Sequence, residues 1–232
     1  MNKISSAVYL FSNCPLFNKE AAPSFETFNK ENSIFLYETM VLNHIENLKE
    51  VQSNVKFFYC FDEVDGDLLP REINSRNDNL FFGDTKDSYE FIKRLADKHF
   101  SSFNNNLLIF YNSIGVNGKI ISKALDLISI DDDAIIIGKT NNDSVAFIGF
   151  NSFHPEIYSN INFNLSCERI LKLSNKYDSF IHCLKNYMKI DSIDDFKMLY
   201  RELSKKESLA YCSQHIHERF TNLFIEYKDL LK

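Results

Sequence analysis

The chain has 232 residues, 44% of them hydrophobic, with 22 phenylalanines and no tryptophan, enough apolar material for the core of one full domain. Its net charge of -6 argues against nucleic acid as a partner, because binding a phosphate backbone needs a basic face. No apolar run reaches the roughly 18 residues of a membrane span, and the first strand begins too early for a signal peptide to precede it, so a cytoplasmic protein is expected.

Ala7–Phe11 (AVYLF) reads as a strand, followed by a long loop, Asn13–Lys30, and a helix, Glu31–Leu48, in which Ile34, Tyr37, Val41, Ile45 and Leu48 recur at helical spacing. Val55–Phe61 reads as a second strand. After it come Asp62, Glu63, Asp65 and Asp67 around Gly66, which lack the ligand spacing of a calcium loop and are expected to form a solvated turn. The loop spans Phe61–Asn79, and long ordered loops of this kind commonly line ligand sites or form lids.

A short strand, Leu80–Phe82, and a helix, Asp87–Phe103, follow, with His99 expected to pack at the helix edge. Leu107–Tyr111 (LLIFY), Ala134–Ile137 and Val145–Phe150 read as buried strands, and Asn117–Leu127 as a helix between the first two. Ser192 with Asp195 has the spacing of a helix capping box. In the C-terminal segment, Glu207–Leu231, the residues Leu209, Cys212, Ile216, Phe220, Leu223, Tyr227 and Leu230 repeat at helical spacing over about six turns. That stripe needs a surface to pack on, either its own domain or the seam of a homo-oligomer.

Strands alternating with crossover helices imply an α/β fold with a doubly wound, mostly parallel sheet and helices on both faces. Ligands bind such sheets beyond the carboxyl ends of the strands. Asn112 and Ser113 therefore become candidates after one strand, and Lys139, Asn142 and Asp143 after another; Asp131, Asp132 and Asp133 precede a strand, at its wrong end. The five cysteines, Cys14, Cys60, Cys167, Cys183 and Cys212, are odd in number and contain no C-x-x-C pair, which argues against a disulfide framework or a zinc site. Cys60 is expected in the core. Cys14, in the first strand-to-helix loop, is the cysteine whose reactivity is weighed, although no basic residue adjoins it.

Five segments share the spacing of one known family: Ala7–Pro15 (AVYLFSNCP), Tyr37–Leu48 (YETMVLNHIENL), Leu107–Gly115, Gly138–Gly149 (GKTNNDSVAFIG) and Ile190–Leu199 (IDSIDDFKML). In this spacing the chain resembles the domain-of-unknown-function 2064 family, GT-A-like (Rossmann-like) proteins of the nucleotide-diphospho-sugar transferase superfamily. That family has a Gly-Ser-Asp-x-Pro loop, whose Asp falls on Asn112 and Pro on Ile114, and a Gly-Pro-x-x-Asp-Gly-Gly-Tyr-Tyr-x-x-Gly segment whose two outer glycines correspond to Gly138 and Gly149 while its centre is replaced. Its first Lys falls on Asn13, and its basic Lys-Thr-Arg-Leu segment on Ala21, Ala22, Pro23 and Ser24. Asp191 and Asp195 keep two acidic positions of its Asp-x-Asp-Thr-x-x-Asp-Leu signature, with Ser192 in place of Thr.

The resemblance implies a transferase-like domain over residues 1–206, with 207–232 as an added C-terminal helix. It also implies a nucleotide or nucleotide-sugar site at Asn13, Asn112, Ser113, Lys139, Asn142 and Asp143, with Asp191 the candidate metal carboxylate. An active member would use magnesium or manganese. Because most motif charges are replaced, the leading expectation is a degenerate protein with weak or no turnover. The alternatives are an active transferase with a rewired site and a non-catalytic interaction protein.

Overall fold

The computed structural model describes residues 6–51, 54–74, 79–152, 154–161, 165–205 and 211–231. In chain order the elements are β1 (Ser6–Phe11), α1 (Lys30–Leu48), β2 (Val55–Asp62), α2 (Arg71–Asn74), β3 (Leu80–Gly83), α3 (Ser88–His99), β4 (Asn105–Phe110), β5 (Ser113–Ile114), α4 (Gly118–Ile128), β6 (Ala134–Thr140), β7 (Val145–Phe150), α5 (Pro155–Tyr158), α6 (Cys167–Ser174), β8 (Phe180–Lys189), α7 (Ile193–Leu203) and α8 (Gln214–Glu226). The strands lie in the order β3-β2-β1-β4-β7-β6-β8-β5. β7 is antiparallel to β4 and β6, and β5 to β8, whereas the remaining pairs are parallel, as expected for a doubly wound sheet.

Strand alternation divides the core into two layers. From β1, Val8 and Leu10 join α1, α4, α7 and α8 on one face, while Ala7, Tyr9 and Phe11 join α3, α5 and α6 on the other. His99 ends α3 with its ring 4.4 Å from that of Phe58, in keeping with a packing role. The helix expected over Asp87–Phe103 is shorter, because the chain tightens into a 3-10 turn at Phe100–Ser102. The two glycines shared with the family pattern are required by close approach: a Cβ on Gly138 would lie 2.3 Å from the Phe147 ring, and one on Gly149 would lie 2.5 Å from Ile128.

β8 and α6 have no counterpart among the expected elements. The first half of β8 is partly exposed and carries His182 and Cys183 among its apolar residues, so it lacks a clean alternation, and pairing with β6 makes it a strand.

The C-terminal stripe forms α8 from Gln214 to Glu226, shorter than six turns; the proposed boundary at 206/207, Lys206 and Leu209 lie outside the described residues. Ile216, Phe220, Leu223 and Phe224 are buried in the core of this same chain. Arg219 fixes α8 to α1 through Glu38 at 2.7 Å and Thr39 at 3.0 Å. Tyr227, just beyond α8, stacks on Phe28 at 3.8 Å and accepts hydrogen bonds from Asn29 N and Asn32 Nδ2. Phe220→Ala should lower the unfolding free energy by about 3–5 kcal/mol in urea titration, as expected for an emptied aromatic core position; a change within about 0.5 kcal/mol would mean that α8 does not dock.

Candidate ligand cleft

The carboxyl ends of β1, β2, β4 and β8 meet at one edge of the sheet, and the loops leaving them carry most of the candidate residues. Asn13 and Asn112 stand two residues beyond Phe11 and Phe110, which are paired across β1 and β4. Both are buried, at 8% and 0% exposure. Neither amide atom of Asn13 has a hydrogen-bond partner, and the same is true of Asn112 Oδ1.

Asn112 and Asp191 are in contact. Asn112 Nδ2 donates to Asp191 Oδ1 at 2.5 Å, and the Asn112 carbonyl accepts from Ile190 N at 2.9 Å, which ties the end of β4 to the chain leaving β8. The second oxygen of Asp191 lies 3.3 Å from Lys189 Nζ, whose side chain is buried and whose ammonium sits 5.3 Å from the Phe110 ring centroid. Burial raises the Asp191 carboxyl above its usual range, opposed by Lys189 and Asn112. Asp195 forms the expected capping box, accepting from Ser192 N and Oγ and from Asp191 N.

A divalent ion does not fit this set. One carboxylate faces the cleft, and an ammonium and an amide donor already engage its two oxygens. Bringing a second cation to it would add like-charge repulsion beside Lys189. Among the described residues, no group of three or more His, Cys, Asp or Glu side chains is placed to hold a metal.

Ser113 is buried, donating to Phe110 O at 2.6 Å and lying 3.4 Å from His44 Nε2. Lys139, Asn142 and Asp143 form a separate group on the turn between β6 and β7. Lys139 and Asp143 make an ion pair at 2.7 Å, which raises the lysine pKa and lowers that of the carboxyl, and Asn142 Oδ1 accepts from Thr140 and Ser144. No hydrogen bond or ion pair among the described residues joins this turn to Asn112 or Asp191.

The acidic turn after β2 is solvated at Glu63 and Asp67, as expected, but not at Asp62 and Asp65. Asp65 is 0% exposed, and its carboxylate accepts from Leu16 N at 2.8 Å and from Phe17 N and Asn18 N at 2.9 Å. Three successive amides converging on one anion make a phosphate-like nest, occupied here by the chain's own carboxylate. Asp62 is also buried and holds Val64 N and Thr85 N, each at 3.0 Å. Cys14 is half-buried, 3.6 Å from the Tyr111 hydroxyl, and burial pushes its thiol up to about 12, which disfavours the thiolate that a nucleophile needs.

The long first loop covers this edge instead of lining an open pocket. Leu16, Phe17, Ala22, Phe25 and Phe28 are all buried, with Phe17 stacked edge-on against Phe61 and Phe25 and Phe28 against Phe196 of α7. Open depressions lie elsewhere, one of about 490 Å³ between α7 and α8 and one of about 520 Å³ beside Phe100 and Phe150 at the amino-terminal edge.

No family model matches the chain, and no curated protein matches it in sequence. Its architecture is similar to that of a protein assigned as a nucleotide-diphospho-sugar transferase from Desulfovibrio desulfuricans G20, with a TM-score of 0.72 at 16% identity over 97% of this chain and 98% of that one. The fold is that of the nucleotide-diphospho-sugar transferases. A cytidylyltransferase from Leptospira borgpetersenii superposes with a TM-score of 0.54 at 14% identity, covering 99% and 97% of the two chains. A CMP:2-keto-3-deoxy-manno-octonic acid synthetase described in complex with CTP gives 0.51 at 6% identity, covering 86% and 98%. Among the described residues, no helix is long and apolar enough to cross a membrane.

Three residues of this transferase-fold edge escape sequence reasoning: Lys189, Asp65 and His44. Lys189 ends a strand that periodicity does not reveal, and Asp65 resembles any acidic turn residue until the loop from β1 folds over it. His44 is buried in α1, and burial lowers its pKa to about 4 from the usual 6.5. The unfolded chain therefore binds a proton that the folded chain refuses across this window, so stability present above pH 6.5 is lost as pH falls towards 4, by up to about 3 kcal/mol. The urea midpoint should fall between pH 7 and pH 4.5, and His44→Gln should flatten the fall; an unchanged slope would remove His44 as its source. Asp65→Ala, which strands three amides, should cost at least about 3 kcal/mol in the same titration at pH 7, with Asp65→Asn milder.

Proposed function

We propose that the chain is a divergent relative of the domain-of-unknown-function 2064 proteins that keeps the nucleotide-sugar transferase fold with weak or no transferase turnover. In this reading residues 1–206 are the transferase-like unit and 207–232 its C-terminal closure. The observation that carries the reading is the contact between Asn112 and Asp191, with Lys189 as the cation beside them. These two positions correspond to acidic motif positions of the resembled family, and their meeting at one edge of the sheet supports the alignment. The substitution there supports loss of the metal-dependent step.

An active transferase of this fold needs a divalent ion to neutralise the diphosphate, basic groups to grip it and a group to orient the acceptor. Here an ammonium already neutralises the carboxylate, the loop that bears the family's basic segment carries Ala21, Ala22, Pro23 and Ser24, and Asp65 occupies the adjacent amides. Magnesium or manganese would bind poorly at such a set. Asn13 and Asn112, with their unpaired buried amide atoms, are the residues best placed to hydrogen-bond the base or sugar of a nucleotide or nucleotide-sugar, because a buried unpaired polar group costs about 1–3 kcal/mol until it finds a partner. Such a ligand reaches them only when residues 13–30 lift.

A second reading, an active transferase with a rewired site, draws on the Lys139–Asp143 pair at the end of β6, with Asp143 and Asp191 taking the acidic role, Asn112 and Asn142 orienting the ligand and Lys139 contacting phosphate. Thermal unfolding against a panel of nucleotides and nucleotide-sugars, with and without magnesium or manganese, separates the two, because a ligand bound to the native state raises the midpoint by mass action. The expected outcome is no metal-dependent shift and no metal-dependent turnover. A metal-dependent shift with one nucleotide-sugar, and turnover abolished by Asp143→Ala, would establish the rewired enzyme instead.

A further inference from the structure

We propose that Cys167 and Cys183 form a reversible intramolecular disulfide when the protein meets a peroxide. Their Sγ atoms lie 3.8 Å apart, although the residues come from different elements. Cys183 lies on β8 opposite Ile137 of β6 and is exposed, whereas Cys167 opens α6 and is buried. One thiol thus faces the oxidant in solution while the second waits behind it, the arrangement that lets a sulfenic acid be resolved before it oxidises further. The remaining cysteines are placed differently: Cys60 and Cys212 are buried, and Cys14 contacts the Tyr111 hydroxyl.

A cation and a helix N-terminus lie beside the pair. The Lys139 ammonium acts on both sulfurs, and Cys167 sits in the first turn of α6, where the helix dipole stabilises negative charge. Burial opposes these effects and pushes the Cys167 thiol up to about 11, so the exposed Cys183 is the group that reacts first. Its thiolate attacks one peroxide oxygen, breaking the O–O bond and giving a sulfenic acid and a hydroxide, which takes up the proton released by the Cys183 thiol as one water. The Cys167 thiolate then attacks that sulfur, forming the S–S bond and expelling hydroxide, which takes up the thiol proton as a second water. Two thiols and one hydrogen peroxide become one disulfide and two waters.

The clasp joins α6 to β8, and α6 already grips the β6–β7 turn: Cys167 N donates to Asp143 O at 2.9 Å, and Glu168 N reaches Asp143 Oδ2 at 3.4 Å. Oxidation therefore tightens the segment carrying Lys139, Asn142 and Asp143, whatever ligand the cleft takes. The test treats the reduced full-length protein with equimolar hydrogen peroxide, blocks free thiols with iodoacetamide and maps the peptides by mass spectrometry. The expected product is monomeric, two hydrogens lighter before blocking, with a Cys167–Cys183 cross-link that dithiothreitol removes and a thermal midpoint raised by roughly 5 °C or more. In the Cys183→Ser variant, at an exposed position, the cross-link and the shift should both vanish while the circular dichroism spectrum is unchanged. Sulfinic or sulfonic acid at Cys183 with Cys167 still alkylated, or dimers linked through Cys183, would overturn the proposal.

Discussion

Asp65 organises the ligand-facing edge of this molecule. A carboxylate removed from water is costly unless donors surround it, and the amides of Leu16, Phe17 and Asn18 supply them. In binding that anion, the first loop is drawn down onto the sheet, where Leu16 and Phe17 become core residues. From there Phe25 and Phe28 run on to Phe196, and Tyr227 stacks on Phe28 from beyond α8. One buried charge therefore links the end of β1, the turn after β2 and, through the aromatic chain, the C-terminal helix.

The charges at the strand ends follow a similar logic. Free loop amides attract anions, and free carboxylates attract cations. Here Asp65 meets the amides and Lys189 meets Asp191, so both kinds of group are satisfied from within the chain. The unpaired amide atoms of Asn13 and Asn112 remain the polar functions at this edge without a partner, and they are uncharged.

Gly138 and Gly149 play a different part from the polar residues. Gly138 and Gly149 are held by the Phe147 ring and by Ile128, contacts of the strand core that persist whatever ligand is bound. These two glycines are thus set by packing, whereas the polar residues at the strand ends are set by charge.

Much of the scaffold was legible in the chain. Strands β1, β2, β4, β6 and β7 and helices α1 and α4 follow from apolar runs and helical spacing, because each is buried on a face whose period the sequence must repeat. β8 and α6 were not legible: part of β8 is exposed, and its pairing with β6 is a long-range hydrogen-bonding fact. The candidate residues divided in the same way. Asn112, Ser113 and Asp191 were identifiable from position and come together, while Lys139, Asn142 and Asp143 form a turn apart from them. The sequence alone determined the layered α/β order, since it is a property of residue type and spacing. Only the tertiary structure decided that Asp65 fills the amide nest, that Lys189 neutralises Asp191 and that the first loop closes over the edge, since each depends on which distant side chains share one low-dielectric space.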